Sequence, residues 1–102
     1  MANAYLGNAF SLQMIPMDLW REGYQPKVSL VDQPDLSVLT SIVGHPDTAK
    51  VLGVDTNRVS VSLQPGDVLY VAQLMGGRLP EGSTTLPEGF HFEFFKVELV
   101  QG

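Results

Sequence analysis

Histidine, arginine and glutamate stand in two short segments that are otherwise rich in glycine and proline: Gly44-His45-Pro46-Asp47-Thr48 and Gly76-Gly77-Arg78-Leu79-Pro80-Glu81-Gly82. With Pro46 as the first residue of a helix, His45 becomes its N-cap. The following proline holds it extended, beside N–H groups of Asp47 and Thr48 that have no partner within the helix. Such a terminus can bind a phosphate, and a bound phosphodiester favours the protonated imidazole that a general acid needs. An ordinary helix start with a solvated histidine has the same spacing and is the commoner case. In the second segment two glycines let the backbone approach a ligand closely, and Arg78 offers a planar fork for phosphate oxygens. Glu81, three residues on across a proline turn, could orient that fork or hold a ribose hydroxyl. A flexible loop with two solvated charges accounts for the same residues as well.

Weaker candidates lie around these. Asn8 and Ser11, in Asn8-Ala9-Phe10-Ser11, are small polar side chains that could bond a sugar or base, and they are also plain turn formers. Arg58 opens an alternating segment on its polar face, where it either contacts a phosphate or covers a sheet edge. His91 reads as exposed. The sequence has no His-x-x-x-His pair, aspartate cluster or glycine-rich Walker loop, so it supports neither a metal hydrolase nor an NTPase.

Positioning such groups takes a folded core, and 102 residues that are 44% hydrophobic suit one domain spanning 1–102. The absence of cysteine excludes disulfides, thiolate metal sites and thiol nucleophiles, and fits a reducing, cytoplasmic compartment. The amino-terminal segment has no basic leader and no apolar stretch near the roughly 18 residues a membrane span needs, so neither export nor a membrane partner is expected. A net charge of −5 argues against duplex nucleic acid as a partner. It does not argue against a small anion, because one arginine and one histidine can outweigh the global charge within a Debye length of roughly 8 Å.

The spacing predicts an α+β fold: a mixed, mainly antiparallel sheet of about five strands with two helices on one side. Arg58–Gln64 alternates, with Val59, Val61 and Leu63 on one face, and reads as a half-buried strand. Pro65-Gly66-Asp67 would turn it into a hairpin with the apolar run Val68–Met75, which suits a central strand covered on both faces. The final strand carries Phe90, Phe92 and Phe94, then Phe95, Val97 and Leu99, and this phase change predicts a β-bulge or a switch of buried face. Shorter strands are expected at about Ala4–Phe10 and Lys27–Val31. Helices are expected over Pro34–Val43, ended by Gly44, and over Pro46–Leu52, ended by Gly53. Between Leu12 and Tyr24, Pro16 and Gly23 break any long element.

Four blocks occur in one order: Asn8-Ala9-Phe10-Ser11; Val43-Gly44-His45-Pro46-Asp47-Thr48; Asn57-Arg58-Val59 running into Pro65-Gly66-Asp67-Val68-Leu69-Tyr70-Val71; and Gly77-Arg78-Leu79-Pro80-Glu81-Gly82. In these the sequence resembles the viral ring nucleases of type III anti-CRISPR function, over about residues 3–15 and 41–82. The resemblance implies a homodimer that binds cyclic tetra-adenylate and cuts it to linear di-adenylates, with no metal or other cofactor. It matches His45 to the catalytic histidine, and Arg78 and Glu81 to the arginine and glutamate of an Arg-Leu-x-Glu-Gly motif. Asn8, Ser11 and Arg58 match ligand-contacting positions, and Asp47, Thr48 and Gly77 fall within the matched motifs as further ligand contacts. Gln13, also expected at the ligand, stands where an asparagine is frequent, and residues 16–40 show no placeable similarity. In the implied reaction a ribose 2′-hydroxyl attacks the adjacent phosphorus, so the enzyme need only align that hydroxyl and protonate the departing 5′-oxygen. A module that only sequesters or senses the messenger would need Asn8, Arg58 and Arg78 but no proton donor.

Overall fold

The run Val68-Leu69-Tyr70-Val71-Ala72-Gln73-Leu74-Met75 is apolar on both sides of its pleat, so it must be covered on both faces. In the structure, a computed structural model that describes residues 3–102, this run is strand β4 (Val68–Met75). The first two residues of the amino-terminal segment lie outside the described ones. β4 pairs antiparallel with β5 (His91–Gln101) on one side and parallel with β1 (Ala4–Gly7) on the other. β2 (Tyr24–Val31) adds to β5 in antiparallel fashion and β3 (Thr40–Ser41) adds to β1 in parallel, giving the order β2-β5-β4-β1-β3. The sheet is therefore mixed, mainly antiparallel and five-stranded, as the sequence predicts.

Successive residues of a strand point to opposite faces, and each face has its own apolar cluster. Leu69 and Val71 of β4 join Val97 and Leu99 of β5, Ile42, Ile15, Leu19 and Leu63 on one face. Ala72 of β4 joins Leu6, Val43, Phe94 and Ala49 on the other. Helix α1 (Met17–Arg21) contributes Leu19 to the first cluster and helix α2 (Pro46–Leu52) contributes Ala49 to the second. The two helices thus cover opposite faces, not the single side expected. The same parity explains the phenylalanine run. Phe92 and Phe94 belong to one face and Phe95 to the other, and the register of β5 against both neighbours is unbroken, so the phase change is a switch of buried face with no bulge.

Three expectations give way to tertiary constraints. Arg58–Gln64 is not a strand, because β1 and β5 already occupy both sides of β4. It crosses the first face as an extended cover, with Leu63 buried and its N–H donating to the Met14 carbonyl at 2.7 Å, while Val59 stays exposed. Pro34–Val43 is not a helix. It holds a single 3-10 turn at Leu36–Val38 and then β3, because Ile42 and Val43 serve opposite faces, a period of two that a helix cannot provide. Asp35 caps that turn, and the Ser37 hydroxyl and N–H hold its carboxyl below the usual carboxylate range. The segment after Leu12 contains a helix that the sequence reading leaves unplaced: α1 starts directly after Pro16, its N-cap, which makes no side-chain cap bond, and stops before Gly23 at φ 92°. Helix α2 matches its expected limits, with Gly53 left-handed at its end.

Asp67, only 3% exposed, ties the start of β4 to β1. Its carboxylate accepts the N–H of Asn3 and the N–H of Gln64, each at 3.0 Å, so one side chain closes the Pro65-Gly66 turn and seats the chain before β1. Replacing Asp67 by Ala strands both donors and should lower unfolding free energy by about 1–3 kcal/mol. This is readable as a lower urea midpoint at unchanged slope; a midpoint equal to wild type contradicts the clamp.

Candidate functional site

β1, β3 and β4 run parallel, so their carboxyl ends open at one edge of the sheet, the region where open α/β-type sheets place ligands. Asn8 follows β1, the Val43-Gly44-His45 segment follows β3, and Gly76-Gly77-Arg78 follows β4. Three of the sequence-predicted groups are thereby delivered to the same edge by strand direction alone.

His45 is the N-cap of α2, with extended backbone at φ −92° and ψ 118°, and Pro46 opens the helix. Its Nδ1 accepts the Thr48 N–H at 3.3 Å and lies 3.4 Å from the Thr48 hydroxyl. The Thr48 N–H expected to be open to an anion is therefore engaged by the imidazole itself, and the histidine's second nitrogen, Nε2, is left for external partners. Gly44, just before it, is held from both sides: its N–H donates to Asn8 Oδ1 at 3.4 Å, and its carbonyl accepts from Arg58 Nε at 2.9 Å. Using Nε for this bond leaves the terminal nitrogens of Arg58 available. Asn57 adds to the brace by donating its N–H to the Val43 carbonyl at 2.8 Å and its side-chain amide to the Ser41 carbonyl at 3.2 Å.

The arginine loop is set by close backbone approach. Gly76 has φ 112°, and a Cβ there would meet the Gly89 carbonyl oxygen at 2.9 Å and Phe90 Cα at 3.1 Å. Gly77, at φ 131°, would bring a Cβ within 3.5 Å of the Phe90 ring. The two glycines let the loop lie on Phe90 and turn Arg78 toward α2. A cavity of about 470 Å³ results, lined by His45, Thr48, Leu74, Gly77, Arg78 and Leu79. The imidazole, the guanidinium and one hydroxyl share it with an apolar wall of two leucines. Arg78 makes no ion pair with any carboxylate among the described residues, which leaves its fork open to an anion.

Other predicted residues lie elsewhere. Glu81 is exposed and outside that lining. Ser11 caps the 3-10 turn Leu12–Met14, accepting the Gln13 N–H at 3.3 Å, and both residues are exposed. Asp47 sits in the first turn of α2, where a negative charge suits the helix dipole, and is likewise not in the lining. His91 is exposed, its Nε2 3.7 Å from Glu93. Sequence reasoning missed Leu74, Leu79 and the supporting Phe90. The signal for the last was a pair of glycines emerging from a strand, which marks a tight backbone approach without saying to what.

Fold and site together define a small α+β protein whose polar residues gather at the carboxyl ends of a mixed sheet. B116 of Sulfolobus turreted icosahedral virus (STIV) shares this fold with a TM-score of 0.69 at 22% identity, the match covering 95% of this chain and 99% of that one. A family described as STIV B116-like matches residues 4–94, and the chain belongs to that family. No curated protein matches the sequence.

The glycine loop supplies a test. Gly76→Ala, which collides with backbone, should destabilise the protein clearly more than Gly82→Ala, where φ is 80° but no atom lies within 4 Å of the added carbon. Urea midpoints of the two variants decide this, and equal losses would contradict a loop fixed by contact with Phe90.

Proposed function

We infer that the protein is a metal-independent ring nuclease. It binds cyclic tetra-adenylate at a homodimer interface, cleaves it to linear di-adenylates by ribose 2′-hydroxyl attack, and thereby suppresses type III CRISPR signalling. The observation that carries this reading is the shared cavity of His45 and Arg78 at the carboxyl edge of the sheet. The four sequence blocks of the viral ring nucleases and the viral name of the B116 relative support it.

In this reading His45 protonates the departing 5′-oxygen and Arg78 offsets charge developing on the phosphate. Asn8 and Arg58 hold Gly44, and so the histidine, in place while the free end of Arg58 meets a neighbouring phosphate. Gly77 and Thr48 shape the phosphate surroundings, and Asp47 contributes from outside the cavity lining. Glu81, Ser11 and Gln13 contribute from outside the monomer's cavity, with Glu81 acting on Arg78 or on the ligand as the loop closes. No cofactor takes part, because the nucleophile belongs to the substrate.

A ring of four identical units contains a two-fold axis, so a C2 pair can present the same groups to opposite phosphates. The open half of the first sheet face suits such a pair. Val28 and Leu30 of β2 are 56% and 71% exposed. A groove of about 420 Å³ beside Val28 is lined by Phe10, Val71 and Phe95, and also by Asn8, which reaches Gly44. Asn8 is thus the link between this groove and the His45 loop, while groove and cavity have no lining residue in common. The protein acts in the cytoplasm of a prokaryotic or virus-infected cell, and among the described residues no helix is long and apolar enough to cross a membrane.

One observation favours a sequestering module that binds the messenger without cutting it: His45 already has a structural task as a cap. Incubation of the purified protein with cyclic tetra-adenylate in EDTA separates the readings. Linear di-adenylates are expected from wild type, while tight binding of an intact ring would establish the module. His45→Asn, which preserves a good cap, should slow cleavage by about 10²- to 10⁴-fold with little change in affinity. His45→Ala should lose activity and also about 0.5–2 kcal/mol of stability. Leu30→Glu should shift the pair toward monomers in sedimentation analysis and lower cleavage with it; an unchanged dimer would exclude this face as the seam.

A further inference from the structure

Nδ1 of His45 faces two groups of Thr48 at once. The backbone N–H, at 3.3 Å, can only donate; the hydroxyl, at 3.4 Å, can donate or accept. A ring nitrogen that receives an N–H must present its lone pair, so this contact selects the form of the ring whose proton sits on Nε2. That proton cannot be given away, because its loss would leave an imidazolate. To act as an acid the ring must first take a second proton at Nδ1, where it would confront the Thr48 N–H. The hydroxyl resolves the conflict by rotating to accept the new Nδ1–H. Thr48 is 9% exposed and its position is fixed by α2, so the hydroxyl stays at hand in both states.

We propose that Thr48 is the positioning residue of this site: its N–H holds the neutral Nε2–H form of His45, and its hydroxyl accommodates the imidazolium without loss of the ring's orientation toward the cavity. The charged groups nearby are Asp47 on α2 itself, Arg58 behind Gly44 and Arg78 across the cavity, and none of them hydrogen-bonds Nδ1 among the described contacts. In the cleavage step the P–O2′ bond forms and the P–O5′ bond breaks. The Nε2 proton passes to O5′ and the 2′-hydroxyl proton leaves to water. The ring is then neutral with its remaining proton on Nδ1, bonded to the Thr48 hydroxyl. Uptake of a proton at Nε2 and release of the one at Nδ1, both exchanged with water, restore the resting form.

The kinetic part of this assignment rests on the proposed ring-nuclease reading; the structural part does not, and two measurements keep them apart. Long-range proton–nitrogen spectra of the full chain, without ligand, should show the neutral His45 as Nε2–H in wild type, Thr48→Val and Thr48→Ser alike. On acidification the Nδ1–H signal of the imidazolium should be slow to exchange in wild type and Thr48→Ser, and absent or fast in Thr48→Val. Single-turnover cleavage of cyclic tetra-adenylate, measured at saturating protein so that any change in affinity is removed, should fall about 10²-fold in Thr48→Val and recover in Thr48→Ser. A resting Nδ1–H tautomer, or a Thr48→Val protein with a protected Nδ1–H, overturns the assignment whether or not the ring is cut. Wild-type cleavage by Thr48→Val overturns the kinetic role. The expected spectra with no cleavage by any form would leave Thr48's hold on His45 standing and remove the nuclease reading.

Discussion

β4 must satisfy two neighbours and two apolar faces at the same time, and most of the fold follows from that demand. Its odd residues need one cover and its even residues another, so a helix is required on each side of the sheet. Its pairing with β1 is parallel, the chain between them passing through α1, β2, β3 and α2 before entering β4 from the same end as β1. The antiparallel partner β5 then brings a second two-faced strand, and β2 closes against it over eight consecutive pairs. The cost of leaving either face wet, about 25 cal/mol per Å² of apolar surface, makes this arrangement hard to trade for another.

The geometry of the site is a by-product of that sheet. Parallel strands release their loops at a common edge, and here three such loops carry an amide, an imidazole and a guanidinium. None of these groups is held by a dense polar core. Gly44 is pinned by Asn8 and Arg58, His45 by the first turn of α2, and Arg78 by a loop whose glycines rest on Phe90. Side-chain bonds to backbone and close backbone packing therefore share the positioning, and His45 Nε2 and the Arg78 fork are left to meet a ligand.

The amino-acid sequence discloses local structure well where turn chemistry is unambiguous. Pro46 and Gly53 bracket α2 because one fits a first turn and the other a left-handed stop, and the central strand is legible from its unbroken apolar run. It misleads where a segment's partner is decided elsewhere. The alternation of Val59, Val61 and Leu63 is real, but no strand slot beside β4 is free to receive it. Leu36, Leu39 and Val43 are helically spaced, yet the adjacent Ile42 and Val43 go to opposite faces. At the site, His45 and Arg78 are legible as residue types in glycine-bearing loops. Their meeting in one cavity depends on β3 and β4 being parallel, and the engagement of Nδ1 by Thr48 depends on side-chain rotation, neither of which a spacing argument contains.

The cap on α2 has an implication for how such sequences drift. Asparagine, aspartate and serine are the favoured side chains at that position, and a codon for histidine lies one base from codons for the first two. A lineage selected for folding alone would be expected to slide into those alternatives and become more robust in doing so. Under the proposed function, a histidine at this position trades some durability of the cap for an ionisable nitrogen at the cavity, and an asparagine there would leave a sponge for whatever the cavity admits.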